Sequence, residues 1–232
     1  MQNSDPNPDL LFDRKIRTYA KRVGRVTKAQ RQAIEAFYPN YGLPVSSAPL
    51  DLKKIFENSN PVIMDIGFGN GASTSRMALA ASEKNFLAVE VYSAGIGSLL
   101  KTIATQNIQN VRVIQHDALE VLREMIPDAS LAGFHIFFPD PWPKKKHHKR
   151  RLISPENTKL LCQKLAPGGV IHTATDWAAY VEEMLEIFEA EPNLKNRFSS
   201  FAPRPDSRPI TPFERRALAE GRKPRDLIFE RI

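Results

Sequence analysis

The run Met64-Asp-Ile-Gly-Phe-Gly-Asn-Gly-Ala72 sets three glycines between a strand-like apolar stretch and a helical one. Glycine at such a junction lets the backbone curl tightly and approach a ligand, and the amides that open the helix favour a polar or anionic group. A strand, turn and helix in this order begins a doubly wound α/β domain. The chain continues in that rhythm. Strands are predicted over 61–66, 86–91, 111–115 and 134–138, and helices over 72–81, 97–105 and 119–125. Ser154 and Pro155 suit a helix cap and first helical position for a helix to 165. A turn over 166–169 feeds a strand ending at Thr175, Asp176 suits the cap of a helix to about 189, and 226–232 reads as a closing strand. Alternation of this kind implies a mostly parallel sheet covered on both faces, with ligands at the C-terminal strand ends.

At 232 residues and 42% hydrophobic, the chain can bury one sizeable core, so one domain is expected. Residues 1–10 read as a disordered lead-in, and 14–31 holds eight Lys or Arg and no acid. Such a run is either a solvated, self-repelling segment or an arm that lies on phosphates. We therefore place a flexible basic extension at 1–35 and a single domain at 36–232, with 39–49 as a turn-rich loop around the core. The net charge of +7 favours an anionic partner, nucleic acid first. No stretch is apolar enough to span a membrane and the N-terminus has no apolar leader, so a cytoplasmic location is expected. Cys162 is the sole cysteine, which excludes an intrachain disulfide and a Cys-based zinc site; no metal is expected.

The glycines satisfy the dinucleotide pattern through Gly67, Gly69 and Ala72, with Gly71 between them, and Glu90 ends the second strand where it can hold ribose hydroxyls. A nicotinamide oxidoreductase is thus one reading. Asp65, two residues before the first glycine, would repel a pyrophosphate but suits a ligand carrying an ammonium and a sulfonium. Asp117 follows the third strand, so Asp65, Glu90 and Asp117 are expected to meet in one crevice, facing the amino acid, ribose and adenine parts of S-adenosylmethionine. Each taken singly also suits a helix cap or a solvated strand end.

The segment Phe137 to Arg151, FFPDPWPKKKHHKRR, joins the end of a strand to a Pro-locked loop bearing Asp140 and Trp142, then to six Lys or Arg and two His. The prolines fix where Asp140 points. Trp142 can stack on an extruded base or plug the space beneath the loop. Charge this dense is best neutralised by phosphates, which makes Lys146, His147, His148, Lys149, Arg150 and Arg151 candidate RNA contacts. Three other histidines, His116, His135 and His172, lie in or beside strands and read as structural.

With these motifs in view, residues 60–232 resemble the bacterial tRNA (guanine-N7)-methyltransferase family, most specifically through FPDPWP and its basic tail. The resemblance implies a class I methyltransferase fold, Rossmann-like, with a mostly parallel seven-stranded sheet and helices on both faces. It implies S-adenosylmethionine as methyl donor and N7 of the variable-loop guanine, position 46 of tRNA, as acceptor. It casts Asp65, Glu90 and Asp117 as cofactor contacts, Asp140 as the catalytic carboxylate, Lys144 and Asp176 as substrate contacts, and Lys146 to Arg151 as an RNA-binding segment. Thr211-Pro212-Phe213-Glu214 matches a T-x-F-E motif that completes the substrate pocket within a C-terminal lid at 204–224; a helix-capping box is the plainer reading of the same residues. The chain departs from the family pattern at Tyr92 and Ala94, where His and Pro are usual, at Pro212, where Lys is usual, and at Arg216-Ala217, where Arg-Gly is usual. A base-amine methyltransferase, an oxidoreductase and a non-catalytic RNA-binding module are the alternatives, and a monomer or homodimer is expected.

Overall fold

The computed structural model describes residues 16–20 and 26–232. The expected lead-in at 1–10, and residues 14–15 and 21–25 of the basic run at 14–31, lie outside the described residues. Seven strands form one sheet in the order β3-β2-β1-β4-β5-β7-β6. They are β1 (Val62–Ile66), β2 (Asn85–Glu90), β3 (Val111–Gln115), β4 (Leu131–Phe137), β5 (Leu165–Thr175), β6 (Leu194–Asn196) and β7 (Arg225–Arg231). Neighbours from β3 through β5 pair in parallel, and β7 runs antiparallel between β5 and β6. The register places Asp65 beside His135 and Phe137 beside Ala174, so the ends of β1, β4 and β5 open on one edge.

Helices cover both faces. On one side α1 (Lys28–Tyr41), α3 (Ala72–Ala80) and α4 (Ser93–Thr105) enclose Met77, Phe86, Leu99, Leu100 and Ile103. On the other α5 (Ala118–Glu124), α6 (Pro155–Lys164) and α7 (Ala178–Glu189) enclose Leu122, Phe134, Leu161, Tyr180 and Phe188. A short α2 (Leu52–Phe56) precedes β1, and α8 (Pro212–Ala219) precedes β7. Among the described residues no helix is long and apolar enough to cross a membrane.

Two expectations change. A boundary at 35/36 falls inside α1, whose Thr27 and Gln30 form a reciprocal capping box before the helix packs on α4. Gln30 donates to Ser98 Oγ at 3.0 Å, and a Cβ on Gly97 would lie 2.5 Å from the Gln30 carbonyl, so the two backbones are in close contact. The ordered domain therefore begins before residue 36. The turn at 166–169 is also not a separate loop, because those residues belong to β5, where the register with β4 shifts between Leu131 and Gly133.

Candidate active site

The glycine loop after β1 sits in left-handed backbone, with φ of +71° at Gly67 and +63° at Gly69, and a Cβ at either would meet nothing within 4 Å. Bare backbone thus faces an open cavity, which a ligand can approach without meeting a side chain. Three neighbouring pockets with shared walls lie along this edge. One is lined by Asp65, Gly67, Gly69, Ser73, Thr211 and Phe213. The next shares Gly67, Gly69 and Phe213 and adds Glu90, Tyr19 and Asp140. The third shares Tyr19 and His116 and adds Tyr38 and Asp117. The sheet order explains the sequence of carboxylates, since Asp65, Glu90 and Asp117 come from β1, β2 and the end of β3, taken outward.

Each carboxylate has its own setting. Asp65 is 3% exposed and accepts from Thr74 Oγ1 at 2.6 Å. Burial pushes its carboxyl up to about 7, against the Thr74 hydroxyl bond and with a smaller push from Glu90. A buried acid in that state is suited to a cationic ligand group. Glu90 accepts main-chain N–H bonds from Gly69 at 3.1 Å, Val91 at 2.6 Å and Tyr92 at 3.2 Å, which fix both oxygens at the cavity wall. Asp117 caps α5 through Leu119 N–H at 2.8 Å while bordering the cavity, so its capping and lining roles coexist.

The loop after β4 is pinned from several sides. Phe138 and Trp142 both have left-handed backbone, with φ of +54° and +45°. Residues with side chains seldom adopt this conformation, and they bracket Asp140 with it. Phe138 N–H donates to Ala174 O at 2.7 Å, and Arg151 Nε donates to Pro141 O at 2.9 Å. Asp140 Oδ2 accepts from Ala20 N–H at 3.0 Å, and Trp142 Nε1 donates to Thr18 O at 3.1 Å. The segment 17–20 therefore lies along this loop, and Thr18 and Tyr19 form part of the cavity lining. Tyr92, at one of the positions that depart from the family pattern, donates its hydroxyl to Ala20 O and meets Tyr19 edge to face. The basic run 14–31 gave no sign of this contact, because the bonds join residues over 70 positions apart and mostly use main-chain atoms.

Several expected roles need correction. Arg151 is not on an RNA-facing surface: it is 2% exposed, pairs with Glu183 and lies over the Tyr180 ring, where it supports the loop from beneath. Glu214 is buried and taken up by Arg208, so it does not reach a substrate. Asp176 does not cap α7, whose cap is Trp177; its carboxylate accepts from Arg222 Nε at 2.6 Å. Trp142 is no open stacking platform, since Arg150 covers its ring at 4.0 Å and His147 meets it edge-on at 5.8 Å. Lys144, Lys146 and Lys149 are exposed, and residues 145–150 form a 3₁₀ turn that fans them outward. Arg150 Nε also reaches Arg17 O at 3.0 Å, and His148 is half-buried. Thr211 caps α8 through Glu214 N–H at 3.0 Å, while Thr211, Pro212 and Phe213 line the Asp65 end of the cavity. Among the described residues no group of three His, Cys, Asp or Glu converges as a metal site requires.

Residues 59–227 match a protein family described as "Putative methyltransferase". A tRNA (guanine-N(7)-)-methyltransferase of Aromatoleum aromaticum is 48% identical over 226 residues, covering 97% of this chain and 87% of that protein. One of Nitrosospira multiformis is 49% identical over 218 residues, covering 94% and 95%. Among solved structures, a 30S ribosomal A1408 methyltransferase from an uncultured bacterium superposes with a TM-score of 0.58 at 16% identity, over 82% of this chain and 96% of that one.

Proposed function

The chain belongs to the S-adenosylmethionine-dependent tRNA (guanine-N7)-methyltransferase family, and from that membership we propose how its own residues serve the reaction. The substrate is the variable-loop guanine at position 46 of tRNA, methylated at N7 in the cytoplasm. One observation supports the assignment of parts: Asp65, Glu90, Asp117 and Asp140 line three neighbouring pockets that share wall residues.

The residues present fit S-adenosylmethionine. The side-chain-free face of Gly67 and Gly69 makes a cradle, the buried Asp65 seeks a cation and would hold the ammonium group, and Glu90 would accept from ribose hydroxyls. Asp117, with Tyr38 and Ile34 nearby, would border the adenine. When bound, the donor supplies an electrophilic methyl group on a sulfonium.

The protein's task is then orientation. Guanine N7 carries no proton, so the step needs no general base. Asp140, held on a Pro-flanked, doubly left-handed loop, is placed to accept from the guanine N1–H or amino group and to offset positive charge that builds on the purine. A donor on N7 would occupy the reacting lone pair, so recognition falls on O6 and the Watson-Crick edge, with Lys144 as the exposed cation beside the loop. Lys146 and Lys149 project from the next turn toward solvent, Arg150 lies half-buried over Trp142, and all three would meet phosphates. Phe213 and Tyr19 wall the cavity and help exclude water from it.

The test is mass spectrometry of nucleosides, and of ribonuclease fragments that locate them, from tRNA incubated with the protein and isotope-labelled methyl donor. Label in 7-methylguanosine from position 46 is the expected result. Label in an exocyclic amine, or at another position, would overturn the assignment.

A further inference from the structure

A buried cluster of charge lies behind the lid wall of the cavity. Arg208 is 1% exposed. Its guanidinium donates to both oxygens of Glu214, at 2.6 and 3.1 Å, and to both oxygens of Asp226, at 2.6 and 2.9 Å. Asp226 Oδ1 also lies 2.7 Å from His172 Nε2, and the guanidinium sits over the Phe137 ring at 5.6 Å. Glu214 belongs to the first turn of α8, Asp226 to β7, and Phe137 ends the strand that leads to Asp140. One side chain thus joins the lid helix, the antiparallel strand and the base of the Asp140 loop.

Apolar burial alone cannot fix α8. Its buried side chains are Glu214 and Ala217, while Phe213 and Leu218 are 44% and 51% exposed. The forked pairing of Glu214 with Arg208 is therefore a tether of the turn that carries Thr211, Pro212 and Phe213, beside the stacking of Phe213 on Phe138. Those three residues close the same end of the cavity as Asp65, Gly67 and Gly69.

We propose that Arg208 is a positioning residue for the methyl donor: by clamping Glu214 to Asp226 it holds Thr211 to Phe213 against the amino acid end of the cofactor. This rests on the reading of the cavity as the S-adenosylmethionine site. Lysine cannot replace it, because a point charge with one nitrogen cannot bridge two carboxylates that each use a forked, planar donor set.

The test uses the full chain with Arg208→Lys, Glu214→Gln and the double variant, titrated with S-adenosylhomocysteine by calorimetry well below each Tm. Arg208→Lys is expected to weaken binding about tenfold and Glu214→Gln about threefold, as partial and milder losses of a forked ion pair. The KM for S-adenosylmethionine should rise in parallel while tRNA affinity stays within about twofold, and the double variant should be no worse than Arg208→Lys. A merely structural role would lower Tm and leave the dissociation constant of the folded protein at the wild-type value, which would overturn the proposal. Should Arg208→Lys fail to fold, Glu214→Gln decides alone, since wild-type affinity in it refutes the clamp and weakened affinity supports it. Wild-type protein that binds no S-adenosylhomocysteine refutes the reading of the cavity itself, whereas wild-type binding with unaltered variants refutes only the part given to Arg208.

Discussion

The main-chain N–H of Ala20 donates to Oδ2 of Asp140 at 3.0 Å, so the segment 17–20 and the loop that bears the proposed catalytic carboxylate form one unit across 120 residues. Asp140→Ala leaves the prolines and the Arg151 support in place, and removes the carboxylate proposed to orient the base. Single-turnover methylation should fall roughly 100-fold, the scale of losing one preorganised electrostatic contact. Equilibrium binding of tRNA should change by less than about threefold, because phosphate contacts carry most of the affinity. An equal loss in both measurements would make Asp140 a docking residue.

Arg151 and its neighbours in the basic segment should separate cleanly. Arg151→Ala removes a buried guanidinium while its partner Glu183 stays about a third exposed, so the cost is about 2 kcal/mol, below that of a fully buried pair. Thermal unfolding should report a Tm lower by roughly 4–8 °C. Neutralising Lys146, Lys149 and Arg150 together should weaken tRNA binding and lower Tm by only roughly 2–4 °C, for the loss of Arg150's contacts with Trp142 and Arg17 O, at about 1 kcal/mol. The slope of log K against log salt should become shallower by about one for each phosphate that the side chains no longer neutralise. A salt slope equal to wild type would mean that these side chains do not meet phosphate.

Asp65 gives the protein a pH signature. Its folded pKa of about 7 lies above the ordinary 3.8, so the folded state binds more protons than the unfolded state between those values. Stability of the ligand-free protein should therefore be greatest below the lower value and decline as pH climbs toward 7. A cationic ligand group favours the ionised form, so S-adenosylhomocysteine affinity should rise with pH by up to about tenfold per unit below 7 and level off above it. Calorimetry in buffers of different ionisation enthalpy should show proton release near neutral pH. Asp65→Asn should abolish both that release and the slope.

Trp142 provides a simpler contrast. Its indole N–H bonds to Thr18 O and its ring lies under Arg150, so Trp142→Phe keeps a ring but loses one hydrogen bond, at about 1 kcal/mol. The expected result is a Tm lower by roughly 2–4 °C with tRNA affinity unchanged. Affinity that falls while Tm stays fixed would restore the base-stacking role.

Strands β1 to β5, the glycine cradle and the carboxylates along the cavity were legible because they obey local rules: apolar runs, breaker residues and the strand-to-helix junction. The cap at Ser154 followed from the proline after it, and the cap at Thr211 from Pro212 and Glu214. Arg151, Arg208 and Glu214 were misread or passed over because a charged side chain looks solvated until its partner is known. Those partners are Glu183 for Arg151 and, for Arg208, Asp226 brought in by the antiparallel strand. The strand β6 spans only Leu194–Asn196, too short to leave a periodic pattern. Helix α1 was hidden by its basic flank, which made residues with a capping box resemble a solvated arm.

The reversed direction of β7 has a practical corollary. Arg225 pairs with Thr175 at the edge where β1, β4 and β5 end, so the strand carries the chain away from it and ends beside Leu194, where Ile232 is 69% exposed. A purification handle or surface anchor fused after Ile232 would hang from the far rim and leave the approach of a bulky nucleic acid unobstructed. The same handle placed ahead of Thr18 would tug on the very backbone that grips Asp140 and Trp142.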